Sequence, residues 1–245
     1  NTLSLHDALP IFIPVNTINI EDYLKGVVGK EMSDNFPIEA LKAQAIAARN
    51  YAFANIGKHN SKGYSICDGI DCQVYGGYDA SLTNVIAAVD ATAGKVLLSG
   101  TSLVSAYYAA NDGGYTEDSG NVWTTSLSYL KAKPDDYDTS YTWSKTFTTK
   151  ELSNLYKLNP KVQATDTFVR IDLNLLSSTG LTKFESGRIK NISLIFKNSV
   201  GTEYALSYGK EAARTFLGFA SSLYDVSYDV ATDIYTFNGK GNGHG

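Results

Sequence analysis

Residues 23–54 read YLKGVVGKEMSDNFPIEALKAQAIAARNYAFA. Just upstream, Ile20 joins Leu24, Val27, Val28 and Met32 at helical spacing, so residues 20–32 are expected to form one helix with one buried face. Asn19 can cap its start, with Asp22 three residues on. Glu31 then falls in the last turn, where the negative end of the helix dipole disfavours a carboxylate and pushes its pKa up. Apolar neighbours would act in the same direction through desolvation. A general acid must hold its proton near neutral pH, so the location suits that role. The plain alternative is a solvated surface carboxylate, since helix surfaces are rich in Glu.

A second helix follows. Asp34 or Asn35 can cap it, and Pro37 fits its first turn, where no amide hydrogen is needed. Glu39 suits the positive end of the dipole, and Gly57 stops the run near Ile56. Ala40, Ala43, Ala45, Ala47, Ala48, Ala52 and Ala54 keep most of its surface small, so neighbours can approach closely and the helix reads as central and buried. Lys42 and Arg49 share a face about two turns apart, with Gln44 between them. A guanidinium in such surroundings needs an acceptor, either a structural ion-pair partner or, on the functional reading, Glu31 or a bound substrate.

The length, 245 residues, allows one large or two small domains. A net charge of −4 with no basic run excludes nucleic acid as the main partner and polybasic docking to a membrane. No apolar run approaches the length of a membrane span. The 17 tyrosines suit carbohydrate stacking.

Past the second helix, residues 59–78 read as a loop with a short strand at Gln73–Tyr75. Thr83–Ala93 reads as a third helix, and Lys95–Leu98 and Leu103–Ala109 as strands. In ANDGGYTEDSGNVW, residues 110–123, Gly113 and Gly114 permit a tight turn and close approach to a ligand, with Asn111 and Thr116 offering hydrogen bonds. An ordinary hairpin loop is the alternative. After Asp138 the texture changes to strands at Trp143–Phe147, Phe168–Leu175 and Ile189–Phe196, with helices at Thr149–Leu158 and Lys210–Phe216. The fold class is α+β and two-lobed: a helical core with mixed strands over 13–138, a β-rich second lobe over 139–216, and a return to the core over 217–245.

The two cysteines, Cys67 and Cys72, lie in YSICDGIDCQVYGG. Three readings stand: a zinc site, with His59 and Asp71 near enough in sequence to complete it; a disulfide; or two buried thiols.

Four segments, 23–54, 64–77, 106–123 and 239–245, resemble the SpoIID/LytB family of stage II sporulation protein D-like peptidoglycan lytic transglycosylases and amidase enhancers. The resemblance implies that Glu31, in a G-x-x-x-E-M segment, is the catalytic acid. It implies substrate contacts from Lys42, Gln44, Arg49, Asn111, Gly113, Gly114, Thr116, Tyr129, Lys131 and His244. Some members bind zinc through C-D-x-x-H-C; Asp71 stands where those have His. The expected ligands here are therefore Cys67, Cys72 and His59, with water or substrate in the fourth position.

The implied activity is cleavage of MurNAc–GlcNAc strands to 1,6-anhydro-MurNAc ends, in cell-wall remodelling or sporulation. The alternative is a non-catalytic wall-binding module that stimulates an N-acetylmuramoyl-L-alanine amidase. Peptidoglycan glycan strands and a cell-wall amidase are the expected partners, and the location is extracytoplasmic. GKGNGHG, residues 239–245, resembles a family motif that normally continues, and TLSLHDALPI, residues 2–11, resembles a translated sequencing-library adapter. Residues 1–12 are accordingly expected to be non-native, and any membrane anchor to lie outside this fragment.

Overall fold

The computed structural model describes residues 14–123, 125–138, 141–157 and 159–245. The adapter-like segment 1–12 lies outside the described residues. The chain is mixed α+β and divides into two compact units between Tyr107 and Tyr108.

The first unit is built on three helices: α1 (Ile20–Glu31), α2 (Ile38–Asn55) and α3 (Thr83–Ala91). α1 forms as its sequence dictates. Asn19 Oδ1 accepts the Asp22 N–H at 2.9 Å, and Leu24, Val27 and Val28 are wholly buried. Each such side chain contributes about 1.5–3 kcal/mol of burial free energy. Met32 leaves the helix in an extended conformation, its N–H still bonded to Val28 O. α2 packs against both α1 and α3 through Leu41, Ala45, Ala48 and Ala52, a stripe at helical spacing. It is central, although its opposite face, with Ala43 and Phe53, is exposed.

Two glycines inside α1 have a packing reason. A Cβ on Gly26 would lie 2.4 Å from the Tyr75 ring, and one on Gly29 would lie 2.4 Å from Leu82 Cδ1. The segment after the cysteine loop therefore lies directly on α1. Gly76 N–H bonds Gly26 O at 3.0 Å, and the Tyr23 and Tyr75 rings stack 5.4 Å apart.

Several local expectations are corrected. Neither Asp34 nor Asn35 caps α2; Pro37 is its N-cap and makes no side-chain cap bond. Asp34 instead accepts the Val85 N–H at 2.8 Å and so caps α3, 51 residues away. Gln73–Tyr75 forms no strand. The pairing expected at 95–109 shrinks to β1 (Leu98–Ser99) and β2 (Ser102–Leu103). The buried amide of Asn50 takes over there, donating to Leu97 O and Val104 O and accepting Leu97 N–H, all within 2.9 Å.

The second unit begins with α4 (Ser119–Val122) and continues with β3 (Thr142–Thr148), α5 (Thr149–Tyr156), β4 (Thr167–Ile171) and β5 (Thr182–Lys183). β6 (Ile189–Lys197), β7 (Glu203–Tyr208), α6 (Ala212–Thr215), β8 (Tyr224–Asp229) and β9 (Ile234–Lys240) complete it. One antiparallel sheet has the order β3-β9-β8; in the other, β6 pairs with β4, β5 and β7. The core gathers Leu152, Ile192, Leu194, Phe196, Phe219 and Phe237 between them. Thr148 and Glu151 form a capping box that starts α5.

Residues 108–138 belong with this unit, so the contacts divide the chain some thirty residues before the composition change at Asp138. The reason is backbone pairing. Asn111 bridges to Asn242, and the buried Arg188 donates to Asp112 O and Tyr115 O. Gly241, at φ +80°, lies against the backbone of residues 111–113, where a Cβ would sit 3.0–3.1 Å from main-chain atoms. The two glycine-rich motifs of the sequence are thus one backbone-on-backbone junction.

Candidate functional site

Glu31 is the last residue of α1 and is exposed. The carbonyls of that final turn surround it with the negative end of the helix.

The expected helpers on α2 go elsewhere. Arg49 is wholly buried and grips Glu21 rather than Glu31: Nε to Oε1 is 3.0 Å and Nη2 to Oε2 is 2.5 Å. Its Nη1 donates to Lys95 O at 2.9 Å. This is the structural ion pair of the two alternatives. Burial alone would raise the Glu21 pKa, but the hydrogen bonds from Arg49 and from Gly94 N–H, with the Arg49 charge, hold it below the usual value. Lys42 pairs with Glu39 at 2.7 Å. Gln44 Nε2 is buried without a hydrogen-bond partner among the described residues.

Ligand atoms of His59, Cys67, Asp71 and Cys72 all lie within 4.8 Å of one another. His59 follows the end of α2 and is held by its N–H to Ser65 O, 3.2 Å. Cys72 is buried, and its Sγ accepts the Cys67 N–H at 3.3 Å. Both thiols are free. Burial pushes the Cys72 thiol pKa up, with the Cys67 N–H acting against it. His59 Nε2 is buried and without a hydrogen bond, although Asp71 Oδ2 is 3.1 Å away, outside bonding geometry.

The donor set fits zinc: two thiols, an orphaned imidazole nitrogen and a carboxylate. Asp71 places a fourth candidate donor atom beside the three ligands the resemblance implies. Lys58 Nζ reaches Asp71 Oδ1 at 3.0 Å and also donates to Asp71 O. The Lys58 hydrogen bond is the main reason the Asp71 pKa is lowered. Directly after the cluster, Gln73 accepts from Tyr23 OH and donates to Ala48 O, so the loop is tied to α1 and α2.

In the second unit, Asn111 Oδ1 accepts the Gly113 N–H at 3.0 Å while its Nδ2 donates to Asp138. Gly114 N–H bonds Asp112 Oδ1 at 2.8 Å. Burial raises the Asp112 pKa, helped by the Asp135 and Asp138 charges. Thr116 Oγ1 accepts the Lys133 N–H, and Lys131 pairs with Asp118 at 2.7 Å. Tyr129 is exposed. His244 packs edge-on against Trp123, ring centroids 4.9 Å apart, and burial lowers its pKa. It lines a small cavity with Arg188, Glu117 and Glu211. The Nε and Nη1 of Arg188 have no hydrogen-bond partner among the described residues. The sequence reading did not single out Glu117, Ser186 or Arg188 as site residues, because they come together only in the fold.

No described helix is long and apolar enough to cross a membrane. Residues 12–98 match the family described as Stage II sporulation protein, SpoIID. The chain is similar to the amidase enhancer of Bacillus subtilis (strain 168), 33% identical over 91% of this chain and 36% of that protein. It is also similar to the stage II sporulation protein D of the same organism, 32% identical over 67% of this chain and 55% of that protein. The corresponding protein of Bacillus amyloliquefaciens is 32% identical over 64% of this chain and 50% of its own length. The chain thus spans from about a third to just over half of these relatives. It carries Glu31, the α1–α2 pair and the cysteine loop within the matched region, and it belongs to the SpoIID family of stage II sporulation proteins.

Proposed function

We propose that the chain acts on the bacterial cell wall, outside the cytoplasmic membrane, as a lytic transglycosylase with Glu31 as its single acid–base group. The observation that carries this reading is the position of Glu31: an exposed carboxylate at the end of a buried helix, inside the region that matches the family. A glycan strand can reach it, and the packed helix keeps it in place.

Protonated Glu31 gives its proton to the glycosidic oxygen as the bond to C1 of MurNAc breaks. The bonding pair leaves with the departing GlcNAc O4. The C6 hydroxyl oxygen then closes on the anomeric carbon, and the Glu31 carboxylate takes the hydroxyl proton. No water is consumed, and the product is a 1,6-anhydro end. One carboxylate therefore serves both steps, whereas hydrolysing glycosidases place two around the bond. Arg49, buried on Glu21, serves this chemistry by holding α1 rather than by touching sugar. His59, Cys67, Asp71 and Cys72 would hold a zinc ion. With four protein donors such an ion would be structural rather than catalytic, and these residues would thereby fix the loop that lies on α1.

The test is mass spectrometry of muropeptides released from sacculi. Glu31→Gln should release no anhydro-muropeptides while keeping its fold and glycan binding. Full activity in the Gln variant would remove Glu31 from the mechanism. A second reading is favoured by the relative named amidase enhancer. Under it, wild type and Glu31→Gln would raise the rate of a purified N-acetylmuramoyl-L-alanine amidase equally, with no anhydro product from either.

A further inference from the structure

We propose that Lys58 is a positioning residue of the metal site, orienting the Asp71 carboxylate toward the ion and offsetting the negative charge that this carboxylate adds. The inference rests on the zinc reading of the cysteine loop. It starts from how the two oxygens of Asp71 are divided. Oδ2 lies on the cluster side, 3.1 Å from His59 Nε2, while Oδ1 lies 3.0 Å from Lys58 Nζ. The same ammonium donates to the backbone oxygen of Asp71, so it grips one residue at two points. Asp71 is exposed, its side chain 65% accessible, so no apolar wall fixes its rotamer. Lys58 is the group that does.

The charge balance explains why such a partner stands here. A divalent ion with two thiolates is neutral, and a neutral imidazole adds nothing. A second imidazole as fourth donor would leave the centre neutral. Asp71 in that place makes it −1, and the Lys58 ammonium restores zero. An exposed Lys–Asp pair alone is worth little. Beside an ion the pairing matters more, because outer partners that orient a ligating group typically change metal affinity by about 10–100-fold.

The test is zinc affinity of the full chain, read by competition with a chromophoric chelator, with bound zinc counted by elemental analysis. Lys58→Ala should bind one zinc about tenfold more weakly, and Lys58→Arg should recover most of the loss. In an Asp71→His background, Lys58→Ala should have no effect, since no extra charge remains to offset. Circular dichroism melting of each zinc-free variant checks that the fold is kept. A Lys58→Ala protein that binds zinc as tightly as wild type overturns the proposal. So does an equal loss from Lys58→Ala in the wild-type and Asp71→His backgrounds. A wild-type chain that takes up no zinc and oxidises to a Cys67–Cys72 disulfide overturns the zinc reading itself, and this proposal with it.

Discussion

The buried Arg49 and the half-buried Glu21 form a two-point ion pair that joins α2 to the start of α1, Nε to Oε1 at 3.0 Å and Nη2 to Oε2 at 2.5 Å. The pair reaches further through Lys95 O and Gly94 N–H, each within 3.0 Å, and so captures the chain leaving α3. Glu31 stands ten residues along α1, about 15 Å at the rise of a helix. The arginine of the Ala-rich helix thus sets where the proposed acid ends up without approaching it.

Breaking that pair should cost stability before it costs chemistry. Arg49→Ala leaves the Glu21 carboxylate without its partner and should lose about 1.5–3 kcal/mol in urea unfolding, since Glu21 is partly open to water. Arg49→Lys should recover little, because an ammonium cannot make the paired contact. A fully stable Arg49→Ala protein with a specific loss of glycan binding would instead place the guanidinium on substrate.

The same pair predicts an acid limb. The folded-state pKa of Glu21 lies below its ordinary value of 4.5. Its stabilisation is therefore fully present above that value and is lost as pH falls through the lowered folded pKa. Glu21→Gln should flatten the stability profile below about pH 4.5 relative to wild type, with little change in slope between about pH 6 and 8. An unchanged acid limb in the Gln variant would show that other carboxylates govern it.

How much of this is legible in the sequence depends on how local each signal is. The span and cap of α1 are set by neighbours within four residues, and Asn19, Leu24 and Val27 declare them. Asp34 misleads because its partner is Val85, and spacing along a chain does not show which helix a carboxylate faces. Asn50 escapes a sequence reading for the same reason: its three bonds all go to residues near 97 and 104. β8 carries a local signal that the sequence reading left unused, since Tyr224, Val226 and Tyr228 alternate with Asp225, Ser227 and Asp229. Within the site, the cysteine spacing already points to a metal with His59 and Asp71 as candidate partners, but only the folded loop shows that all four donor atoms lie within 4.8 Å of one another.

Gly26 should resist substitution although it sits inside a helix. Alanine would favour the helix by about 1 kcal/mol. Its Cβ would meet the Tyr75 ring at 2.4 Å, and that ring is stacked on Tyr23. Overpacking of this kind costs about 1–3 kcal/mol, so Gly26→Ala should lower the melting temperature. A Tyr75→Ala change in the same chain should reverse the sign and leave the alanine stabilising. A melting temperature raised by Gly26→Ala alone would mean that the ring can move aside freely.

On the proposed zinc reading, removing the ion should loosen a defined stretch of backbone. The four donors close a loop whose exit is bonded in sequence order: Cys72 N–H to Gly69 O, Tyr75 N–H to Asp68 O, and Gly76 N–H to Gly26 O, each at 3.0 Å. The first two bonds exist only while the loop keeps its fold, and the third carries that order onto α1. Chelation should therefore speed hydrogen exchange at Cys72, Tyr75 and Gly76 by an order of magnitude or more, about 1.4 kcal/mol per tenfold change in opening. The amide of Met32, the C-cap of α1, bonded to Val28 O at 2.9 Å, should exchange as before. Faster exchange at Met32 on chelation would mean that the ion supports the whole three-helix unit rather than the loop. Equal exchange at all four amides with and without zinc would mean that the loop holds its shape unaided, through Gln73 and the Tyr23–Tyr75 stack alone.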